Sequence, residues 1–129
     1  RFVTAAAMLG DLAAQDGPAS LRRRLKYYNT PSLLVIDEVG YMSYGQGYAD
    51  LLFQVVSQRY QRRSTIVSTN RVFAEWSEVF PNATSIIALI DRLCHNAEII
   101  SIDADSYRNK ETRDRNAARK AARRPRRES

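Results

Sequence analysis

The chain has 129 residues, of which 44% are hydrophobic and 26% charged, and a formal net charge of +6. Those values fit one modest globular domain. No apolar run approaches the roughly 20 residues of a membrane helix, the opening residues lack a secretory pattern, and the single cysteine, Cys94, excludes an internal disulfide and fits a reducing, cytoplasmic setting.

Residues 1–3 read as the end of a strand. Thr4 is the expected N-cap of a helix carrying Met8, Leu9 and Leu12 at helical spacing. Asp16-Gly17-Pro18 breaks it, and 19–28 forms a second helix, apolar at Leu21, Leu25 and Tyr28. Leu33, Leu34, Val35 and Ile36 are apolar without alternation and run into Asp37 and Glu38. That pattern predicts a strand over 33–37 buried on both faces of a parallel sheet. Residues 46–62 carry Tyr48, Leu51, Leu52, Val55, Val56 and Tyr60 every three to four positions, as a helix does. Residues 64–70, STIVSTN, predict a second buried strand. Phe73, Trp76 and Phe80 mark a short helix whose aromatics serve packing. Asn82 is the expected cap of a helix through Ile86, Ile87, Leu89, Ile90, Leu93 and Cys94. Residues 97–103, AEIISID, predict a third buried strand. Strands alternating with helices argue for an α/β fold with a parallel sheet, and no internal repeat is present.

Adjacent carboxylates repel unless something positive sits near them. In open α/β sheets the carboxyl end of a strand is where ligands bind, and a magnesium ion on nucleotide phosphates would relieve the repulsion. An ordinary acidic turn is the simpler alternative. The segment 64–70 also ends in polar residues, Ser68, Thr69 and Asn70. If the two strands are parallel neighbours, Asn70 comes level with the acids, where its amide can hydrogen-bond a phosphate or a water. Read alone, Asn70 starts a turn.

The charge is uneven. Residues 112–129 hold eight Lys and Arg against Asp114 and Glu128, the whole net charge of the chain. This stretch has no apolar residue larger than alanine, so it is expected to be disordered or loosely helical. Arg119, Lys120, Arg123, Arg124, Arg126 and Arg127 can hold a nucleic-acid backbone by counterion release; a solvated tail is the alternative. Cys94 and His95 are the only Cys and His, too few for a zinc site without carboxylates, and Cys94 suits a helix core.

The blocks LLVIDEVGY, ADLLFQVVSQRYQRRSTIVSTNRVFAEWSEVF and ALIDRLCHNAEIISIDADSYRNKE resemble the IstB-like family over about residues 1–111, leaving 112–129 as a basic tail. That family comprises AAA+ ATPases that assist insertion-sequence transposition and are related to DnaC-type helicase loaders. The resemblance implies a P-loop NTPase (AAA+) fold, ATP and Mg²⁺ as ligands, and duplex DNA, a transposase and further copies of the chain as partners. It implies that Asp37 is the Walker B aspartate helping to hold Mg²⁺ and that Glu38 is the base or polariser of the attacking water. Asn70 becomes sensor 1, Arg92 the arginine finger, and Arg108 a phosphate contact like sensor 2, with Arg71 a lesser candidate. Arg92 is expected to project away from the stripe of Ile86, Ile90, Leu93 and Cys94, exposed toward a neighbouring subunit; a surface salt bridge is the plain alternative.

The family's phosphate loop is missing. No G-x-x-x-x-G-K-[ST] occurs, and none of the five glycines is followed by lysine. The backbone cradle and lysine of that loop supply most phosphate binding. The chain therefore reads as a carboxyl-terminal portion of a longer protein, without the first strand and the loop, and is expected to bind Mg-ATP weakly or not at all. The family's sheet order, 5-1-4-3-2, puts the absent strand between 64–69 and 97–102. The first would lose one neighbour and the second its only one, leaving open edges. The rival readings are a non-enzymatic remnant that binds DNA or a partner through the basic tail, and a transposon relic without function.

Overall fold

The computed structural model describes residues 1–103 and 107–122, with backbone alone for 107–109. The chain divides into two units, Arg1–Glu98 and Ile99–Ser129. In the first, β1 (Phe2–Thr4) leads into α1 (Ala5–Ala13) and α2 (Pro18–Asn29), and β2 (Leu33–Val39) leads into α3 (Tyr48–Arg59). Strand β3 (Ser64–Thr69) follows, then a 3-10 turn (Phe73–Glu75), α4 (Trp76–Val79) and α5 (Ile86–Cys94). The second unit holds α6 (Tyr107–Ala122). Among the described residues no helix is long and apolar enough to cross a membrane.

The three strands form a parallel sheet in the order β1-β2-β3, with Phe2 opposite Val35 and Val35 opposite Ile66. The expected α/β class, with a partial P-loop-type parallel sheet and flanking helices, is what the chain adopts. Thr4 caps α1 as expected, its hydroxyl accepting the Ala7 N–H at 3.2 Å. Met8, Leu9 and Leu12 of α1 enter the core with Leu25 and Tyr28 of α2. Leu52, Val55 and Val56 of α3 join them against Leu34 and Ile36 of β2. Trp76 and Phe80 close that core, with ring centroids 6.0 Å apart.

Three expectations need correction. First, β2 is not buried on both faces. Leu34, Ile36 and Val39 are buried, but Leu33 is exposed and Val35 only half-buried. The outer row runs Phe2, Val35, Ile66 across the sheet, with Phe2 65% and Ile66 54% exposed. Helices α1 and α3 cover the inner face, and no described residue buries the outer one. For the same reason β3 has no fully buried residue.

Second, residues 97–103 form no strand. Ile99, Ile100 and Ile102 are 65–88% exposed. An apolar β-branched run becomes a strand only where a ladder partner exists, and among the described residues none pairs with it. Third, Asn82 does not cap α5. It takes a left-handed conformation (φ 59°), and α5 begins three residues later at the N-cap Ser85. The Ser85 hydroxyl donates instead to Asp50 at 2.6 Å, tying the start of α5 to the first turn of α3.

One core residue is charged. Arg59, on the last turn of α3, is 1% exposed. Its guanidinium donates to the carbonyls of Tyr28 (3.1 Å), Pro31 (2.8 Å), Ser32 (3.5 Å) and Ser64 (2.6 Å), and its Nε to the Thr65 hydroxyl (3.0 Å). It ties the end of α2 to the starts of β2 and β3. Burial lowers its pKa, and neighbouring Arg63 pushes the same way. Opposite it stand carbonyl dipoles, not a carboxylate.

Residues 110–122 of α6 are exposed throughout. The helix continues without a break across the expected boundary between 111 and 112.

Candidate functional site

The site forms where β2 and β3 end side by side. Ile36 pairs with Val67 and Val39 with Thr69, so Asp37 and Glu38 together face only Ser68. Two residues against one is a β-bulge, which re-aims side chains at a strand end. Glu38 carries the distortion, with φ 61°, a region L-residues avoid by about 1–2 kcal/mol.

Hydrogen bonds hold this shape. The Ser68 hydroxyl donates to Asp37 Oδ1 and accepts the Glu38 N–H at 2.9 Å. One hydroxyl thus grips both acids. Tyr44 O–H donates to the Glu38 carbonyl at 3.4 Å, and Tyr44 N–H to Val79 O at 2.8 Å. Burial raises the Tyr44 pKa, so the phenol stays a donor. On β3 the Thr69 hydroxyl donates to Val39 O at 2.6 Å and accepts Arg71 N–H at 3.1 Å, which locks the two strand ends together.

Gly40 makes the close approach possible. Its φ is 93°, and a Cβ there would lie 2.8 Å from Arg71 Cγ and 3.3 Å from Asn70 Oδ1. Any side chain would push the β3 end away. The result is a cleft of about 230 Å³ lined by Glu38, Tyr41, Ser68, Thr69 and Asn70.

Glu38 and Asn70 therefore border one cleft, and Asp37 is tied to its wall through Ser68. The register differs from expectation in one respect: Ser68, not Asn70, comes level with the acids, and Asn70 lies just past the Thr69–Val39 pair. Ser68 and Gly40 went unassigned in the sequence reading. Ser68 was findable as the hydroxyl two residues before Asn70 on the adjoining strand. Arg71 lies beside the cleft and makes ion pairs with Glu75 (3.5 Å) and Glu78 (3.8 Å).

Arg92 is not among the cleft residues. It is half-buried instead of exposed, with its guanidinium 4.6 Å from the centre of the Tyr60 ring. The ring draws the cation down by a cation–π contact. Arg92 borders a second cavity of about 690 Å³ with Phe53, Tyr60, Ala88, Asp91, Cys94 and His95. Cys94 lies half-buried on α5 and borders that cavity, outside the core in which it was expected. Arg108 belongs to α6, but its side chain lies outside the described residues, as do Arg123, Arg124, Arg126 and Arg127. Arg119 and Lys120 sit exposed in the last turn of α6.

The acid pair suits a hard cation only in part. Asp37, Glu38, Ser68 and Thr69 offer oxygen donors, which Mg²⁺ prefers. Among the described residues no group of three acidic, His or Cys side chains could enclose a metal. The arrangement fits Mg²⁺ already carried on phosphates, needing one carboxylate and water from the protein.

Comparison with known proteins identifies the family. Residues 1–115 match the family described as IstB-like ATP binding protein. The chain is 44% identical over 91 residues to the ATP-binding protein of insertion sequence IS232 from Bacillus thuringiensis subsp. berliner, which covers 70% of this chain and 36% of that protein. It is 34% identical over 112 residues to its counterpart in IS5376 from Geobacillus stearothermophilus, 87% of this chain and 45% of the other. It is 36% identical over 93 residues to the IS21 protein from Pseudomonas aeruginosa, 72% and 35% respectively. The chain spans less than half the length of each of these relatives. With its sheet, its strand-end acids and these matches together, the chain belongs to the IstB-like ATP-binding protein family.

Proposed function

We propose that this chain supplies the hydrolysis side of an ATP-binding helper protein of insertion-sequence transposition. The single observation behind the reading is the shared cleft: Glu38 and Asn70 line it together, and Ser68 bridges Glu38 to Asp37. Mg²⁺, when bound with ATP, would neutralise phosphate charge. Asp37 keeps one oxygen on Ser68, and its remaining lone pairs would help to hold that ion. Glu38 accepts a hydrogen bond from the attacking water, raising its nucleophilicity as it closes on the γ-phosphorus. The bond from that phosphorus to the β–γ bridging oxygen breaks, ADP leaves, and Asn70 orients water or phosphate through its amide. Arg92 acts as a finger toward a neighbouring copy only after leaving Tyr60. Arg108 is a candidate phosphate contact.

The basic helix α6 and the arginines beyond it are proposed to hold duplex DNA, with a transposase and further copies of the chain completing a cytoplasmic assembly. The DnaC-like helicase-loader role is a variant on the same chemistry. A non-enzymatic DNA-binding role is favoured by one observation: α6 is exposed over 110–122 and carries four basic residues beyond Thr112 against Asp114.

In a longer protein that provides the G-x-x-x-x-G-K-[ST] loop, Glu38→Gln is expected to retain ATP and lose at least 100-fold in turnover, on the order of one activating group's contribution. Unchanged turnover would refute the assignment. By calorimetry, this chain alone is expected to show no micromolar affinity for Mg-ATP, since it has no phosphate cradle.

A further inference from the structure

The Glu38 carboxylate is aimed by the main chain alone. Among the described residues it makes no ion pair, and every hydrogen bond of residue 38 runs through its peptide groups. The residue is exposed, so packing does not fix its rotamer either. The direction of such a group follows from the backbone that carries it.

That backbone is held in an unfavourable state. With φ 61°, Glu38 lies in the left-handed region, which L-residues leave unless their surroundings hold them. The pairs Ile36–Val67 and Val39–Thr69 pin both sides of the bulge and leave Asp37 and Glu38 together opposite Ser68. Inside the bulge the Glu38 carbonyl accepts from Tyr41 N–H at 3.3 Å and from Tyr44 O–H at 3.4 Å, both long. The Glu38 N–H makes the one short bond, 2.9 Å to the Ser68 hydroxyl. That hydroxyl is a strengthened acceptor, because its own proton goes to the Asp37 carboxylate and linked hydrogen bonds polarise each other.

We propose that Ser68 is a positioning residue for hydrolysis, resting on the water-activating role given to Glu38 above. Its hydroxyl keeps the Glu38 peptide in the left-handed turn and so points the carboxylate at the attacking water. The position needs a donor and an acceptor on a single atom, which a hydroxyl supplies. Alanine offers neither. Threonine offers both and suits a strand. Without the hydroxyl the Glu38 N–H has no partner, the left-handed turn loses its hold, and the peptide relaxes toward an ordinary conformation that turns the carboxylate elsewhere. A displacement of about 1 Å in a reacting group can cost on the order of 100-fold in rate. Affinity for ATP is not at stake, since the loop that cradles the phosphates is a separate element.

In the full chain, amide hydrogen exchange at Glu38 is expected to speed up about tenfold or more in Ser68→Ala and to stay within about threefold in Ser68→Thr. Leu34 and Ile36, buried farther up β2, are expected to change less than about threefold in both. In a longer protein that provides the phosphate loop, Ser68→Ala is expected to lower kcat about 10- to 100-fold and to leave KM for ATP within about threefold, while Ser68→Thr restores kcat to within about threefold. In a Glu38→Gln background, Ser68→Ala is expected to lower turnover less than about twofold further, because it acts through that carboxylate. A serine that merely supports the fold lowers turnover by the same factor in both backgrounds, and that result overturns the proposal. Unchanged exchange at Glu38 overturns it too, as does unchanged kcat in Ser68→Ala when Glu38→Gln loses turnover. If Glu38→Gln itself keeps full turnover, the role given to that carboxylate fails, and Ser68 loses its own with it.

Discussion

Replacing Arg59 with methionine should be the most damaging single change to this fold outside its apolar core. Methionine keeps most of the length and apolar body but removes every donor. Five hydrogen bonds vanish, four of them to main-chain carbonyls. Ser32 O still accepts Ser64 N–H at 3.1 Å, and Ser64 O still faces β2, so those two keep ladder partners. Tyr28 O and Pro31 O lose the donor that ties them to α3. An orphaned buried polar group costs about 1–3 kcal/mol, so two cost about 2–6. Relief from burying a charge offsets part of this, leaving a loss of about 2–4 kcal/mol. A domain of this size has only about 5–15 kcal/mol in total. Urea unfolding followed by Trp76, the single tryptophan and fully buried, reads the change. With a slope of about 1.5 kcal/mol/M, the midpoint should fall by roughly 1.3–2.7 M. Arg59→Lys keeps the charge but not the planar fork and should recover less than half. A midpoint within about 0.3 M of the original for Arg59→Met, or full recovery by lysine, would refute the idea that this guanidinium joins α2 to both strands.

Acid should loosen the α1–α2 contact first. Burial alone would raise the Asp11 pKa, but hydrogen bonds from Tyr28 and Arg24, both at 2.5 Å, outweigh it and hold it below the usual carboxylate value. A depressed folded pKa adds stability above about pH 4 that disappears as pH falls through the folded value; Asp11→Asn should flatten the melting temperature in that window. The partner phenol behaves oppositely. Burial and Asp11 push Tyr28 up to about 12, so its share is intact below pH 10 and lost as pH rises toward 12, a loss that Tyr28→Phe should abolish. Gly40→Ala should cost about 1–3 kcal/mol, because the left-handed backbone and the Arg71 contact both oppose a methyl group, and hydrogen exchange should speed up at Thr69 and Asn70 first. For duplex DNA, a tail that engages about four phosphates should lose roughly 100-fold in affinity between 50 and 200 mM salt, and Arg119→Ala with Lys120→Ala should reduce the logarithmic slope by about two.

Local pattern made much of the fold legible. Thr4 as a cap, the stripe of α3, and the positions of β2 and β3 along the chain are written in neighbouring residues. What failed depends on partners far along the chain. AEIISID has every local mark of a strand, yet a strand needs a ladder beside it. Leu33 and Ile66 look like core residues but lie on a face that no described element covers. Arg59 was legible and overlooked: with Leu52, Val55 and Val56 it falls on the helical stripe, at positions 52, 55, 56 and 59, but its charge and the basic residues after it suggest surface. In the candidate site, Glu38 and Asn70 do share a cleft. The bulge that makes Ser68 the bridge between Asp37 and Glu38 could not be read, because register is set between strands and not within one.

That serine fixes the backbone turn between two neighbouring acids at the rim of the sheet. One hydroxyl donates to the carboxylate of the first and accepts from the peptide of the second, so the turn is set by protein atoms before any counterion arrives. The corner is thus built like a socket whose spring is already wound: its tension resides in the twisted backbone of Glu38. A substitution that eases that twist, such as Glu38→Asn, should leave a sturdier molecule and a blunter tool.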